Sequence, residues 1–280
     1  MLTAKDREYL ANKHRGGLNN SKGNSYENIF AIYKIASLLK DYQNTQETVI
    51  SAQIEDAFVD DLFLSLPQDK YEFYQIKNVQ SLTWQSGSSQ SLQYDFNRQK
   101  ELMDAKNASY ELFLIYSDSN SNVSNVPHPI SQCTRTIFFP YYTSLNRLLW
   151  EYNDFKSVIS NIAANRDATV DELLGLATIL MGVWDASDKT NLSLVQYIQK
   201  IKDLPLTGNT FIFVEELIIN PKAIVIYNKI PNFTHWIVGN AFYWSYKNMK
   251  GSINKGSYLS FEMLVIANKP QNFTDLESLM

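Results

Sequence analysis

The stretch Phe58-Val59-Asp60-Asp61-Leu62-Phe63-Leu64, then Pro67-Gln68-Asp69-Lys70, then Tyr71-Glu72-Phe73-Tyr74-Gln75-Ile76-Lys77-Asn78, decides how this chain reads. Two runs rich in aromatic and branched residues flank a polar turn, which is the pattern of two paired β-strands. Strand side chains alternate between faces, so Gln75 and Lys77 share one face while Tyr74 and Ile76 point to the other, towards a core. A carboxylate on the first strand then faces an amide and an ammonium on the second. That trio suits phosphodiester chemistry: an acid to hold a divalent cation and a lysine beside the attacking water.

Outward from this pair, Thr3 and Asp6 supply a capping pattern for a short helix at about Ala4–Asn12. His14–Asn24, rich in Gly and Asn, reads as a mobile loop. Ile29, Ile32, Tyr33, Ala36 and Leu39 recur at helical spacing and predict an amphipathic helix over Tyr26–Tyr42, with Glu27 in its first turn. Thr48–Leu66 reads as extended, Ser81–Gln90 as a loop carrying Trp84, and Tyr94–Ala105 as a helix with Phe96, Gln99 and Met103 on one side. Tyr110–Tyr116 and Thr134–Phe139 read as strands of a buried sheet. Three helices follow, Leu145–Ala164, Val170–Trp184 and Leu192–Ile201. Strands are expected at Thr210–Ile219, Ala223–Tyr227, Trp236–Trp244 and Ser257–Ala267, and a fraying tail at Gln271–Met280. The expected class is α/β, a mixed sheet flanked by helices. The division is 1–165 as the main domain and 166–280 as a C-terminal α+β region.

Composition narrows the function. The chain has 280 residues, 45% of them hydrophobic, and a net charge of -4, with a pI of about 5.5. Such acidity argues against non-specific coating of nucleic acid, which needs surplus Lys and Arg. The single cysteine, Cys133, forms no intrachain disulfide, and three scattered histidines argue against structural zinc. No apolar run reaches the ~20 residues of a bilayer span, and the charged start Met1–Glu8 has no apolar signal core. The expectation is a cytoplasmic protein without a membrane partner. No Walker A loop, dinucleotide-binding fingerprint or nucleophile elbow occurs.

Asp61 is the first candidate metal ligand, with Asp60 as the alternative, because sequence does not set a strand's register to one residue. Both could equally be edge-strand acids that oppose aggregation. Gln75 could ligate through its amide oxygen, Ile76 through its backbone carbonyl, and Lys77 could contact the scissile phosphate. Glu27 could join Asp61, or serve as the third residue of a capping box begun by Asn24. Trp84, Gln85, Gln93, Arg98, Gln99 and Lys100 follow the site, and a helix there would present Arg98 and Lys100 to a phosphate backbone, although an ordinary solvated helix face explains them as well. Lys13, His14, Arg15 and Lys22 make a basic arm able to cover a duplex. Cys133 reads as buried and inert, His128 as a surface-loop residue and His235 as a core or interface residue.

Taken together, Asn24-Ser25-Tyr26-Glu27-Asn28, Val59-Asp60-Asp61-Leu62 and Tyr74-Gln75-Ile76-Lys77-Asn78 resemble the motifs of the PD-(D/E)XK nuclease superfamily over roughly residues 15–140. The Q-x-K form is similar to that of Mrr-type restriction endonucleases. It is closer still to the double-stranded-DNA endonuclease domain of bacterial anti-phage effectors of the CBASS and Lamassu types. The resemblance implies a restriction-endonuclease-like fold and Mg²⁺- or Mn²⁺-dependent hydrolysis of double-stranded DNA. Glu27, Asp61, Gln75 and Lys77 are then the catalytic residues, and Asp61, Glu27, Gln75 and Ile76 the metal ligands. The residues outside the motifs are too few for a large cyclic-nucleotide sensor. The implied role is therefore the nuclease subunit of a Lamassu-type defence complex, with an SMC-like ATPase partner and possible homo-oligomers.

From the acidity we further expect a nuclease silent until released or oligomerised. Residues after about 168 would form the interface, anchored by Trp236, Phe242, Tyr243 and Trp244 or else using those rings as plain core. The competing expectations are a non-catalytic scaffold on a degenerate nuclease fold, prompted by Gln75 in place of an acid, and an RNA-directed nuclease.

Overall fold

The computed structural model describes residues 3–19, 24–41, 45–87, 90–165, 167–204, 210–211, 217–238 and 241–280. Helices α1 (Ala4–Asn19) and α2 (Asn24–Leu39) precede strands β1 (Val49–Ala52), β2 (Leu62–Leu66) and β3 (Lys70–Lys77). Helix α3 (Leu92–Asp104) then leads to β4 (Ser109–Tyr116) and β5 (Thr134–Phe138). Helices α4 (Leu145–Glu151), α5 (Asn153–Ser160) and α6 (Val170–Asp185), the short β6 (Leu192–Ser193) and α7 (Leu194–Lys202) complete this part. The six strands form one mixed sheet in the order β5-β4-β3-β2-β1-β6. β3, β4 and β5 run parallel, and β1, β2 and β6 add antiparallel pairings.

The hairpin at the centre forms as its sequence predicts, with Leu66 opposite Lys70 across a three-residue loop. Gln68 and Asp69 take left-handed backbone there, a conformation that Asp tolerates in turns. One face of β3 packs on α2: Tyr74 stacks on Phe113 at 4.6 Å and meets Phe30 at 5.6 Å. The other face joins α3 in a cluster of Val59, Phe73, Trp84, Phe96, Leu112 and Leu114. Apolar side chains on both faces explain why β4 reads as a mostly apolar run.

Several expectations are corrected. Residues 58–61 form no strand, because the amides of Phe58 and Val59 donate to the Gln99 side chain and not to a neighbouring strand. Helix α1 begins on the expected Thr3–Asp6 cap but runs on through Gly16 and Gly17 to Asn19. A helical glycine costs only about 1 kcal/mol relative to alanine and removes no backbone hydrogen bond. The rest of the expected loop, residues 20–23 with Lys22, and Tyr42 lie outside the described residues. The helix expected over Leu145–Ala164 breaks at Tyr152, whose φ of -123° and ψ of 98° are not helical.

The chain divides into two units: Met1–Asn161 with Thr169–Ile201, and Ile162–Ala168 with Lys202–Met280. The sheet-bearing unit thus takes in α6, β6 and α7, beyond position 165. The second unit contains α8 (Pro221–Tyr227), β7 (Phe233–Val238), β8 (Ala241–Tyr246), β9 (Met249–Asn254), α9 (Lys255–Asn268) and α10 (Phe273–Glu277). Its sheet is an antiparallel meander, β7-β8-β9.

Here the strands expected at Ala223–Tyr227 and Ser257–Ala267 are helices. Asn220 caps α8 through Lys222 N, and Pro221 opens it. In α9, Tyr258, Phe261 and Val265 are buried at helical spacing. Trp236–Trp244 is two strands of a hairpin and not one. Of the Thr210–Ile219 strand, residues 212–216 lie outside the described residues; Phe211 makes an isolated bridge with Ala163, and 217–220 are not strand. The tail does not fray, since Phe273 and Leu276 of α10 are buried in the core. Phe242 is fully buried and Trp244 packs against the same core, which removes both as interface anchors; Trp236 and Tyr243 lie on the opposite face of the sheet. No helix among the described residues is long and apolar enough to cross a membrane.

Candidate functional site

Asp61 sits one residue before β2, in a segment fixed from three sides. Its carbonyl accepts from Gln53 N at 3.4 Å, and the Asp60 carbonyl accepts from Ile54 N at 3.1 Å, prolonging the β1–β2 pairing as a tight loop. Gln99 Oε1 takes Phe58 N at 2.8 Å from below. Tyr9 of α1 stacks on Phe58 and donates its hydroxyl to Asp95 of α3 at 2.8 Å.

The carboxylate so positioned gathers the other predicted residues onto one oxygen. Asp61 Oδ2 accepts from Gln75 Nε2, from Ile76 N at 2.7 Å and from Lys77 Nζ at 3.3 Å. β2 ends opposite Tyr74, so the last turns of β3 have no partner on that side and their amides are open to a side-chain acceptor. In a strand, a residue's N–H and C=O point to the same side. The Ile76 carbonyl is therefore directed to the side of Asp61. Gln75 is fully buried and Asp61 only 7% exposed, so these are bonds formed out of water, where charge-assisted pairs are strongest. The structure thus places Asp61, not Asp60, against Gln75 and Lys77.

Glu27 comes from the first turn of α2 and accepts Gln53 Nε2 at 3.0 Å. The helix is pinned beside it. Asn28 Oδ1 takes Trp184 Nε1 at 3.0 Å and Lys189 Nζ at 3.2 Å, while Tyr26 donates to the Phe139 carbonyl at 2.6 Å. Burial first, and then the negative charge of Asp61, push the Glu27 carboxyl up to about 7; Lys77 and the Gln53 amide act in the opposite sense, and Asp60 adds to the rise. A buried carboxyl raised by a neighbouring carboxylate marks a place that a positive charge would stabilise.

The donor chemistry fits a hard divalent cation. Glu27, Asp61 and the Ile76 carbonyl offer oxygen, the atom Mg²⁺ and Mn²⁺ prefer, whereas the Gln75 amide turns its nitrogen to Asp61 and would ligate through oxygen only with the amide rotated. No group of three His, Cys, Asp or Glu able to hold a metal occurs among the described residues. A cation here would therefore have two carboxylates at most, with amide, carbonyl, water and substrate oxygens as its other ligands.

The remaining predicted contacts separate. Arg98 pairs with Asp6 at 2.5 Å and with Glu101, and Lys100 pairs with Asp104. Both cations pair with acids of the protein, the helix-face arrangement that the sequence reading set beside a phosphate-contacting role. Trp84 is buried and donates to the Val123 carbonyl at 3.0 Å, so it is core. Gln85 and Gln93 bond to each other at 2.8 Å. The backbones of Lys13, His14 and Arg15 are helical. Cys133 is half-buried, its Sγ near the Ile130 carbonyl, and burial lowers His235, which packs against Tyr227.

Two positioning residues escaped the sequence reading, Gln53 and the backbone-bonding role of Gln99. Gln99 carried a signal, being a polar residue inside the apolar stripe Leu92, Phe96 and Met103. Gln53 carried none.

Compared with family models, with curated proteins and with solved structures, the chain finds no match in any of the three.

Proposed function

We propose that this chain is a divalent-cation-dependent endonuclease for double-stranded DNA, built on a restriction-endonuclease-like core. The observation that carries the reading is the convergence of Gln75, Ile76 and Lys77 on Asp61 Oδ2, with Glu27 alongside. An acid, an amide and a lysine meeting where β2 stops short of β3 is the arrangement that the quoted motifs anticipate. When bound, a divalent cation at Asp61, Glu27, Gln75 and Ile76 supplies charge neutralisation to a phosphoryl oxygen.

The chain's own groups account for the rest. Lys77 Nζ, partly exposed, offers a positive charge to a non-bridging phosphate oxygen. Asp61 holds that ammonium in place. Glu27, raised to about 7 by burial and by the Asp61 charge, would serve in its ionised form as the second carboxylate for the cation, and the attacking water gives its proton to solvent as its oxygen bonds to phosphorus. The ester oxygen leaves and acquires a proton from solvent.

The role in anti-phage or anti-plasmid defence, the SMC-like ATPase partner and activation by release or oligomerisation rest on the resemblance of the Q-x-K motif. Supercoiled plasmid incubated with the protein over a concentration series, in Mg²⁺, Mn²⁺ or EDTA, tests both parts. Metal-dependent nicking that rises steeply with concentration is expected; EDTA-insensitive cutting overturns the cation, and a linear dependence overturns activation by assembly.

A second reading is favoured by Gln75 standing where a second acid is usual: a non-catalytic subunit that binds but does not cut. It predicts no Mg²⁺ heat in titration calorimetry that is lost on Asp61→Asn.

A further inference from the structure

The helical layer of the second unit is apolar on both of its sides. On one side, Tyr227 of α8 and Tyr258, Phe261 and Val265 of α9 pack against the inner face of the meander through Phe233, Phe242, Trp244 and Ile253. The other side repeats the apolar pattern outward. Lys222, Val225, Ile226 and Lys229 recur at i, i+3, i+4 and i+7 along α8 and just past its end, away from the buried Ala223 and Tyr227. In α9, Leu259, Met263 and Ile266 follow the same spacing. Val225 is 55% exposed, Met263 68% and Leu259 48%, so nothing among the described residues covers this side. A surface helix ordinarily turns a polar face to water, and a helix apolar all round is one that is buried all round.

The two stripes meet in a groove of about 350 Å³, floored by Val225, Ile226, Ile266 and Pro270. The charged residues that line it are Lys222, Lys229 and Lys269, with no acid. None of the three makes an ion pair among the described residues. Gln271, also in the lining, donates its amide to the Lys269 carbonyl at 2.8 Å. Lys229 and Lys269 follow helix C-termini, where an ammonium is favoured, but Lys222 lies in the first turn of α8, the end where it is disfavoured. Helix dipoles therefore do not explain the three together, and a shared negative partner does.

We infer that this groove docks an acidic amphipathic helix of a protein partner. An apolar side chain of that helix fills the groove, and its flanking carboxylates meet the three lysines, an apolar centre with a charge-complementary rim. From Ile266 the apolar stripe continues along α9 to Leu259 for two turns, about 10 Å, which suits an elongated occupant better than a small molecule. A bilayer takes the crest of an amphipathic helix, whereas here the apolar floor lies in a groove with the lysines around it. The proposal concerns the second unit alone and holds whether or not the Asp61 site cuts.

The test uses the full chain and a fluorescein-labelled peptide of about 16 residues, long enough to form a helix. Leucines repeat at i, i+3, i+4 and i+7 and glutamates fill the other positions; the comparator has glutamine for every glutamate. Fluorescence anisotropy should show binding of the acidic peptide that weakens with salt, and at least about tenfold weaker binding of the glutamine peptide. Val225→Asp and Met263→Glu, at exposed positions, should each weaken the acidic peptide about tenfold or more with thermal unfolding unchanged. Lys229→Glu should do the same and remove most of the salt dependence, while Lys250→Glu, on the meander, should bind as wild type. No binding of the acidic peptide at low salt overturns the proposal. So does equal binding of the glutamine peptide, or affinity unmoved by Val225→Asp. A dimer seen by sedimentation and dissolved by Val225→Asp would overturn it by making a second copy the occupant. Binding to phosphatidylserine-containing vesicles that Val225→Asp abolishes, without peptide binding, would overturn it in favour of a membrane surface.

Discussion

Lys77 Nζ lies 3.3 Å from Asp61 Oδ2, the same oxygen that accepts the Ile76 amide at 2.7 Å. One atom therefore fixes the lysine, the strand end and, through Nε2, the buried Gln75 amide. Asp61→Asn keeps the shape and removes the charge that holds all three. It should lower stability by about 1.5–3 kcal/mol, the usual worth of hydrogen bonds to a charged group, and abolish cutting. Urea denaturation of wild type and variant measures the first part; coincident curves would mean that the cluster is not a charge-assisted one.

Glu27 gives the site a pH signature. Its carboxyl is raised from 4.5 to about 7, so folding favours its protonated form. That contribution is complete below about pH 4.5 and is lost as pH rises through 7, with an upper bound of about 3 kcal/mol. Relative to Glu27→Gln, wild type should lose stability between pH 5 and 8. Denaturation midpoints taken across that range should diverge, and parallel profiles would contradict the placement of Glu27 beside Asp61.

Gln99 is distant from the chemistry but carries the segment that does it. Its Oε1 takes Phe58 N at 2.8 Å and Val59 N at 3.4 Å, and the residue is 2% exposed. Gln99→Met leaves two buried amides without an acceptor, at about 1–3 kcal/mol for such a group. It should destabilise the chain and reduce cutting, whereas Lys100→Ala, which breaks only an exposed ion pair, should change stability by less than about 1 kcal/mol. Comparable effects of the two substitutions would refute this division.

Gly251 tests the inner face of the meander. A β-carbon there would stand 2.5 Å from Trp244 Cζ2, and that ring is held by Phe273 at 5.3 Å. Gly251→Ala should cost about 1–3 kcal/mol, as overpacking does, seen as an earlier unfolding transition by Trp fluorescence. An unchanged transition would show that the ring moves freely.

Much of the site was legible because its signals are local. The alternation along Tyr74–Lys77 assigns faces without reference to the rest of the chain, and the Thr3–Asp6 cap and the first turn of α2 are likewise short-range. What sequence could not supply was register and tertiary acceptors. Only the pairing that stops at Leu62–Tyr74 shows that Asp61, and not Asp60, meets the Ile76 amide. Gln99 turns Phe58 and Val59 away from a strand across 41 and 40 positions of sequence. In the second unit, Ala223–Tyr227 and Ser257–Ala267 hold the branched and aromatic residues of strands, but Asn220-Pro221 and the spacing of Tyr258, Phe261 and Val265 are helical signals that composition masked.

The most direct test of the central claim is single-turnover cleavage of supercoiled plasmid in Mg²⁺ by wild type and Lys77→Met. Loss of charge at Nζ, with the buried Asp61–Gln75–Ile76 bonds left in place, should slow cutting at least about 100-fold while circular dichroism stays unchanged. A Lys77→Met protein that cuts as fast as wild type would contradict the assignment of this cluster as a nuclease site.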